Sequence, residues 1–161
     1  MKQLYEMKLL DIQSCELLSL MCEVVSKTNQ QERKRKRVYG ALFEAIKHGT
    51  FEFVSNIMTR SPEFQWSCDS KGRTIFHNVV LYREAEIFSL VYKLDAKNVA
   101  LSRRDNQGNN ILHMAGMSTE STKLKRIPGA ALQMQRELQW FKVVSLTLHF
   151  SGIHTHTNRV N

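Results

Sequence analysis

Two histidines occupy equivalent positions in this chain, and imidazole is the side chain that proteins use most often for acid–base catalysis and metal binding. His77 and His113 each follow an aspartate, Asp69 or Asp105, by eight positions. Neither histidine has a carboxylate, a cysteine or a second histidine three or four residues away, so neither forms a helical ligand pair. We therefore predict that both make structural hydrogen bonds that tie neighbouring units together.

Other residues with reactive side chains lack partners at useful spacing. His154 and His156 form a weak metal-like pair near the end of the sequence, and Cys15, Cys22 and Cys68 lack metal-knuckle spacing. We predict reduced cysteines that pack as small apolar residues. The sequence contains no glycine-rich phosphate loop, paired acidic motif or nucleophile elbow. It predicts no enzyme activity, no cofactor and no metal.

The histidines belong to a motif, Asp-x-x-Gly-x-Thr/Asn-Ile-x-His, that recurs after 36 positions. Its residues are Asp69, Gly72, Thr74 and His77 in the first copy, and Asp105, Gly108, Asn110 and His113 in the second. Glycine allows the positive φ of a tight turn, aspartate closes such a turn, and threonine or asparagine caps the helix that follows. A repeat of this period predicts stacked helical units, which usually bind partners.

Apolar periodicity places helices around the motif and predicts an all-α fold without a sheet. The predicted helices cover residues 3–26, 38–48, 51–58, 75–81, 84–94 and 130–144, with a further helix ending near Gly116. An irregular segment is predicted between Met117 and Gly129. With 161 residues and 42% apolar content, the chain suits one folded domain.

The predicted helices and the repeated motif divide the chain into four parts. Residues 1–27 form an N-terminal helical segment, interpreted as a partial repeat, and residues 28–37 form a basic linker. Residues 38–144 hold three repeats, at about 38–68, 69–104 and 105–144. Residues 145–161 form a divergent tail that we expect to be disordered.

The net charge of +8 is concentrated in one basic patch. Its residues are Arg33, Lys34, Arg35, Lys36 and Arg37. A solvated loop between repeats, a nuclear import signal and a phosphate-binding patch are all compatible with such a run. No aromatic residues interrupt it, which argues against a surface that stacks on bases of nucleic acid.

The tips of the two turns are the predicted partner-binding positions, because they vary around the motif residues and project to one side. They are Ser70, Lys71, Arg73, Arg104, Asn106, Gln107 and Asn109.

The motif resembles the ankyrin repeat, whose first helix opens with Thr-Pro-Leu-His-x-Ala. Ile75 and Ile111 stand where that motif has proline, and the period is longer than the usual one of roughly 33 residues. The resemblance implies a helical solenoid of paired short antiparallel helices that binds proteins.

Residues 41–54, 108–116 and 129–142 further resemble a plant family of ankyrin-repeat membrane proteins with a C-terminal Pro-Gly-Gly transmembrane domain, including the accelerated-cell-death type. The resemblance covers roughly residues 3–142 and implies a role in defence and stress signalling. In that family a linker and membrane spans would follow, whereas residues 145–161 differ and contain no span. A truncated or alternatively spliced product, or a mispredicted gene end, explains this difference. We expect a cytoplasmic chain, with membrane residence only when the Pro-Gly-Gly domain is present and nuclear location as an alternative.

The function predicted from the sequence is therefore that of a non-catalytic ankyrin-repeat module for protein–protein interaction. Its partners are unidentified proteins, including full-length family members. Two alternatives stay open. One is a basic nuclear or nucleic-acid-associated adaptor that acts through Arg33–Arg37, and the other is a truncated gene product without independent function.

Overall fold

The computed structural model describes residues 38–117 and 129–153, together with residues 13, 15–25, 27 and 29. Residues 15–25 are helical and are called α1 here. The other α-helices are α2 (Val38–His48), α3 (Phe51–Arg60), α4 (Ile75–Leu81), α5 (Ala85–Phe88), α6 (Lys97–Ser102), α7 (Ile111–Gly116) and α8 (Ala130–Phe150). Two 3₁₀ helices cover Pro62–Trp66 and Ser89–Lys93.

The described residues contain no β-strand, and the pairing of Cys68 with Thr74 is an isolated bridge. The prediction of an all-α fold is thereby confirmed for this part of the chain. The finer assignment, an ankyrin-type solenoid, stays a prediction. None of the described helices is both long and apolar enough to cross a membrane.

Several helix boundaries differ from those predicted. Helix α3 continues past residue 58 to Arg60, and the chain then turns at Ser61 because Pro62 follows. The helix predicted over residues 84–94 is divided into α5 and the 3₁₀ helix Ser89–Lys93. Helix α6 was not predicted, because its six residues are too short to show a clear apolar period.

The prediction that the last helix ends at residue 144 is wrong. Helix α8 continues to Phe150, so residues 145–150 are helical and the expected disorder does not begin at residue 145. The extension is held by tertiary packing, because Thr147 and Leu148 are buried and the Tyr92 hydroxyl lies 2.9 Å from the Thr147 hydroxyl. Residues 154–161, with His154 and His156, lie outside the described residues, as do residues 1–12, 30–37 and 118–128 of the other predicted segments.

One continuous apolar core runs through the described helices. Helix α2 packs against α3 and α4, α4 packs against α7, and α7 packs against α8. The apolar side chains at these contacts are almost wholly buried; they include Leu42, Ile46, Val54, Ile57, Phe76, Val79, Val80, Ile111, Met114, Val144 and Leu148. Each fully buried side chain of this size stabilises the fold by about 1.5–3 kcal/mol. This packing fixes α4 and α7, and with them the two turns that precede these helices.

Candidate protein-interaction site

The turn before α4 is closed by the side chain of Asp69. Its Oδ1 atom accepts hydrogen bonds from the backbone amides of Lys71 (2.8 Å) and Arg73 (2.9 Å). The backbone amide of Gly72 donates to the carbonyl of Asp69 over 3.0 Å, with Gly72 at a φ of 73°. Few residues other than glycine adopt this φ without strain, so the sequence fixes the turn locally.

The turn before α7 has the same construction. Asp105 Oδ1 accepts from the amides of Gln107 (2.9 Å) and Asn109 (2.8 Å). The amide of Gly108 donates to the carbonyl of Asp105 over 3.0 Å, with φ at 80°. The 36-residue repeat therefore extends from residue types to individual hydrogen bonds.

Each histidine of the motif completes a helix cap. Thr74 Oγ1 accepts from the amide of His77, and the amide of Thr74 donates back to His77 Nδ1 over 3.3 Å. Asn110 and His113 repeat this reciprocal arrangement, with the amide of Asn110 3.2 Å from His113 Nδ1. Such capping boxes satisfy amides that the first helical turn leaves unpaired. Both histidines thus have structural roles, and the described residues include no group of three or more His, Cys, Asp or Glu that could hold a metal ion.

The second turn docks edge-on against the first. The amide of Asn106 donates to the carbonyl of Lys71 over 3.0 Å. His77 Nε2 lies 3.3 Å from the carbonyl of Asn109. A side chain at Gly72 would collide with that of Asn106, so glycine also permits the close approach of the two turns. This contact is called the turn junction below.

Burial and hydrogen bonding together determine the pKa values in the turn junction. His77 is fully buried, and this burial lowers its pKa although the hydrogen bond with the Asn109 carbonyl opposes the change. Burial alone would raise the pKa of the Asp105 carboxyl, but hydrogen bonds from Asn109 and Gln107 and the charge of Arg73 lower it overall. Arg73 Nε lies 3.6 Å from Asp105 Oδ2. At neutral pH both shifts favour a neutral His77 ring and an ionised Asp105 carboxylate beside the Arg73 guanidinium.

The predicted partner-binding positions separate into two groups. Ser70, Lys71, Arg104 and Gln107 are exposed at the turn tips. Arg73, Asn106 and Asn109 contribute instead to the turn junction or to the turn itself, although the Asn106 side chain remains accessible. The basic patch, Arg33–Arg37, lies outside the described residues.

Sequence reasoning missed Arg83, which joins three helices. Its side chain is 9% exposed and forms a bidentate ion pair with Glu137 of α8, with Nη2–Oε2 at 2.7 Å and Nε–Oε1 at 3.3 Å. It also donates to carbonyls at the ends of α4 and α7, namely those of Val80, Leu81, Met114, Ala115 and Met117. A basic residue just after a helix end was the available signal. Nothing in the sequence shows that the ends of α4 and α7 meet α8 there.

No protein-family model, curated protein or solved structure matches this chain. Its own geometry defines the candidate site: two rigid turns side by side, each fixed by internal hydrogen bonds, with polar and basic side chains at their tips. Such an arrangement presents a preorganised surface, and preorganisation lowers the entropy cost of binding a partner.

Proposed function

We propose that this chain is a non-catalytic protein-binding module of the ankyrin-repeat type, with the turn tips as its contact surface. One observation carries the proposal: the two turns share the same internal hydrogen bonds and dock edge to edge through the turn junction. Repeated units joined in this way extend a surface without enclosing a reaction site. The resemblance to plant defence and stress-signalling proteins supports a scaffold role in the cytoplasm.

The charge distribution at the tips indicates the kind of partner surface. Lys71 and Arg104 are exposed, whereas the carboxylate of Asp69 binds backbone amides and that of Asp105 is 1% exposed. The tips therefore present positive charge while their negative charge is directed inward. Complementary charge at an interface favours specificity and fast association, so the partner surface is acidic in this proposal.

The experiment compares charge-reversed variants in affinity purification followed by quantitative mass spectrometry. Lys71→Glu and Arg104→Glu, singly and together, should remove the same direct partners, and the loss should be reproduced with the purified partner. Lys47→Glu with Lys93→Glu is the matched control, since both lysines are exposed, carry the same charge and lie outside the turns. The proposal fails if no partner distinguishes the tip variants from this control.

A further inference from the structure

The outer face of α7 is exposed at positions that are buried in α4. Phe76, His77 and Val80 are 0% exposed and Leu81 is 6% exposed, because α7 and its turn cover them. Their counterparts 36 positions later are Leu112, His113, Gly116 and Met117, which are half-buried or exposed within the described part of the chain. The second unit thus presents the same face to which a further unit docks in the first.

This face forms one wall of an open groove. The groove has a volume of about 410 Å³, and Leu112, His113 and Met117 line it on the side of α7. Phe141 of α8 also lines the groove and is 40% exposed. The groove therefore offers apolar surface beside an imidazole, and its floor is fixed by the packing of α7 against α8.

The turn junction shows what such a face binds. At the first turn, the backbone amide of Asn106 donates to the Lys71 carbonyl, and the Asn106 side chain lies over Gly72. The backbone carbonyl of Asn109 lies close to the His77 ring. The corresponding groups of the second unit are the carbonyl of Gln107, Gly108 and the ring of His113. No described atom lies within 4 Å of a side chain placed at Gly108. The face that receives a turn is therefore present in both units, and the described residues cover only the face of the first unit.

We propose that this groove binds a turn-and-helix element of another protein, with an Asp-Asn-x-Gly type of turn over Gly108 and an apolar helical face against Leu112 and Met117. The proposal rests on the proposed function and deepens it, because it names the class of partner and the face that receives it. A second copy of this chain does not fit this role. The two turn-and-helix elements in its described residues are already packed, α4 against α2 and α7 against α4.

The test uses a fluorescently labelled peptide of residues 102–117, which carries the turn and helix that cover the first copy. Titration with the full chain, followed by fluorescence anisotropy and by amide chemical shifts, should show saturable binding with shifts centred on Gly108 and His113. Leu112→Glu should weaken binding by about tenfold or more, since a buried charge without a partner disfavours the complex. Glutamate in the first turn of a helix is compatible with folding.

A second variant keeps the test decisive if Leu112→Glu does not fold. In His113→Gln the new side chain can still complete the capping box, but the imidazole ring is lost. This variant should also bind the peptide more weakly. Lys71→Glu should bind the peptide as the unchanged chain does while losing the partner of the turn tips, so the two proposals fail separately. Absence of saturable binding, or equal binding by the groove variants, would overturn the inference. Self-association that Leu112→Glu abolishes would assign the groove to a second copy and would overturn it as well.

Discussion

The two turn-and-helix units are alike in their bonds and unlike in their surroundings. Asp69 and Asp105 close their turns in the same way, and both helices begin with a capping box. His77, however, is buried under the next turn, whereas His113 is exposed. The comparison teaches that local sequence determines how a unit is built, while its neighbour determines whether the outer residues are structural or free to bind.

The largest expected effect comes from the residue that connects the two units to α8. Arg83→Ala should lower the free energy of unfolding by about 3 kcal/mol, because it removes a largely buried ion pair and the side-chain donors to the carbonyls of Leu81, Ala115 and Met117. Denaturant unfolding measures this loss. Glu137→Gln is the matched control and should cost less, since its side chain is 34% exposed and the donors of Arg83 to the carbonyls remain. Equal losses would show that the carbonyl contacts contribute nothing.

The glycines of the two turns provide the sharpest contrast between the units. Gly72→Ala and Gly108→Ala should each cost about 1 kcal/mol for a positive φ, as measured by denaturant unfolding. Gly72→Ala should cost roughly 1–3 kcal/mol more, because its side chain would meet that of Asn106. In an Asn106→Gly background most of the extra cost should disappear, because the two closest contacts are with the Asn106 side chain and only the backbone nitrogen, 3.1 Å away, stays close. Equal costs for both glycines in the unaltered background would mean that the turns are not docked.

The buried His77 should make the free energy of unfolding depend on pH, an effect smaller than those of the substitutions above. The pKa of His77 lies below its ordinary value of 6.5 because burial disfavours the charged ring. The unfolded chain therefore binds a proton more readily than the folded chain, so stability falls as the pH drops below 6.5 and levels off below the folded pKa. Unfolding measured at several pH values should show this decrease. His77→Gln can still complete a capping box, and it should reduce this decrease in stability. If the pH dependence of unfolding stays unchanged in His77→Gln, its assignment to His77 is contradicted.

The repeat and its caps made much of this architecture predictable from the sequence. Helices α2 and α4 begin and end where apolar periodicity, the Thr74 cap and Gly49 placed them. The extension of α8 was not predictable, because it depends on burial of Thr147 and Leu148 by distant residues. The role of Arg83 likewise requires the ends of α4 and α7 to meet α8.

The same limit applies to the candidate site. Residue types located the turns and their tips, but they gave His77 and His113 the same role. Only packing shows that one imidazole lies inside the turn junction and the other lines a groove.

Covalent labelling of the two histidines tests this difference most directly. Diethyl pyrocarbonate modifies accessible neutral imidazole, and peptide mass spectrometry resolves modification at His77 from that at His113. Under native conditions His113 should react readily and His77 should be protected, with both reacting after unfolding. Protection of both histidines, or comparable native reactivity of both, would contradict an account in which one unit is covered and the other is open.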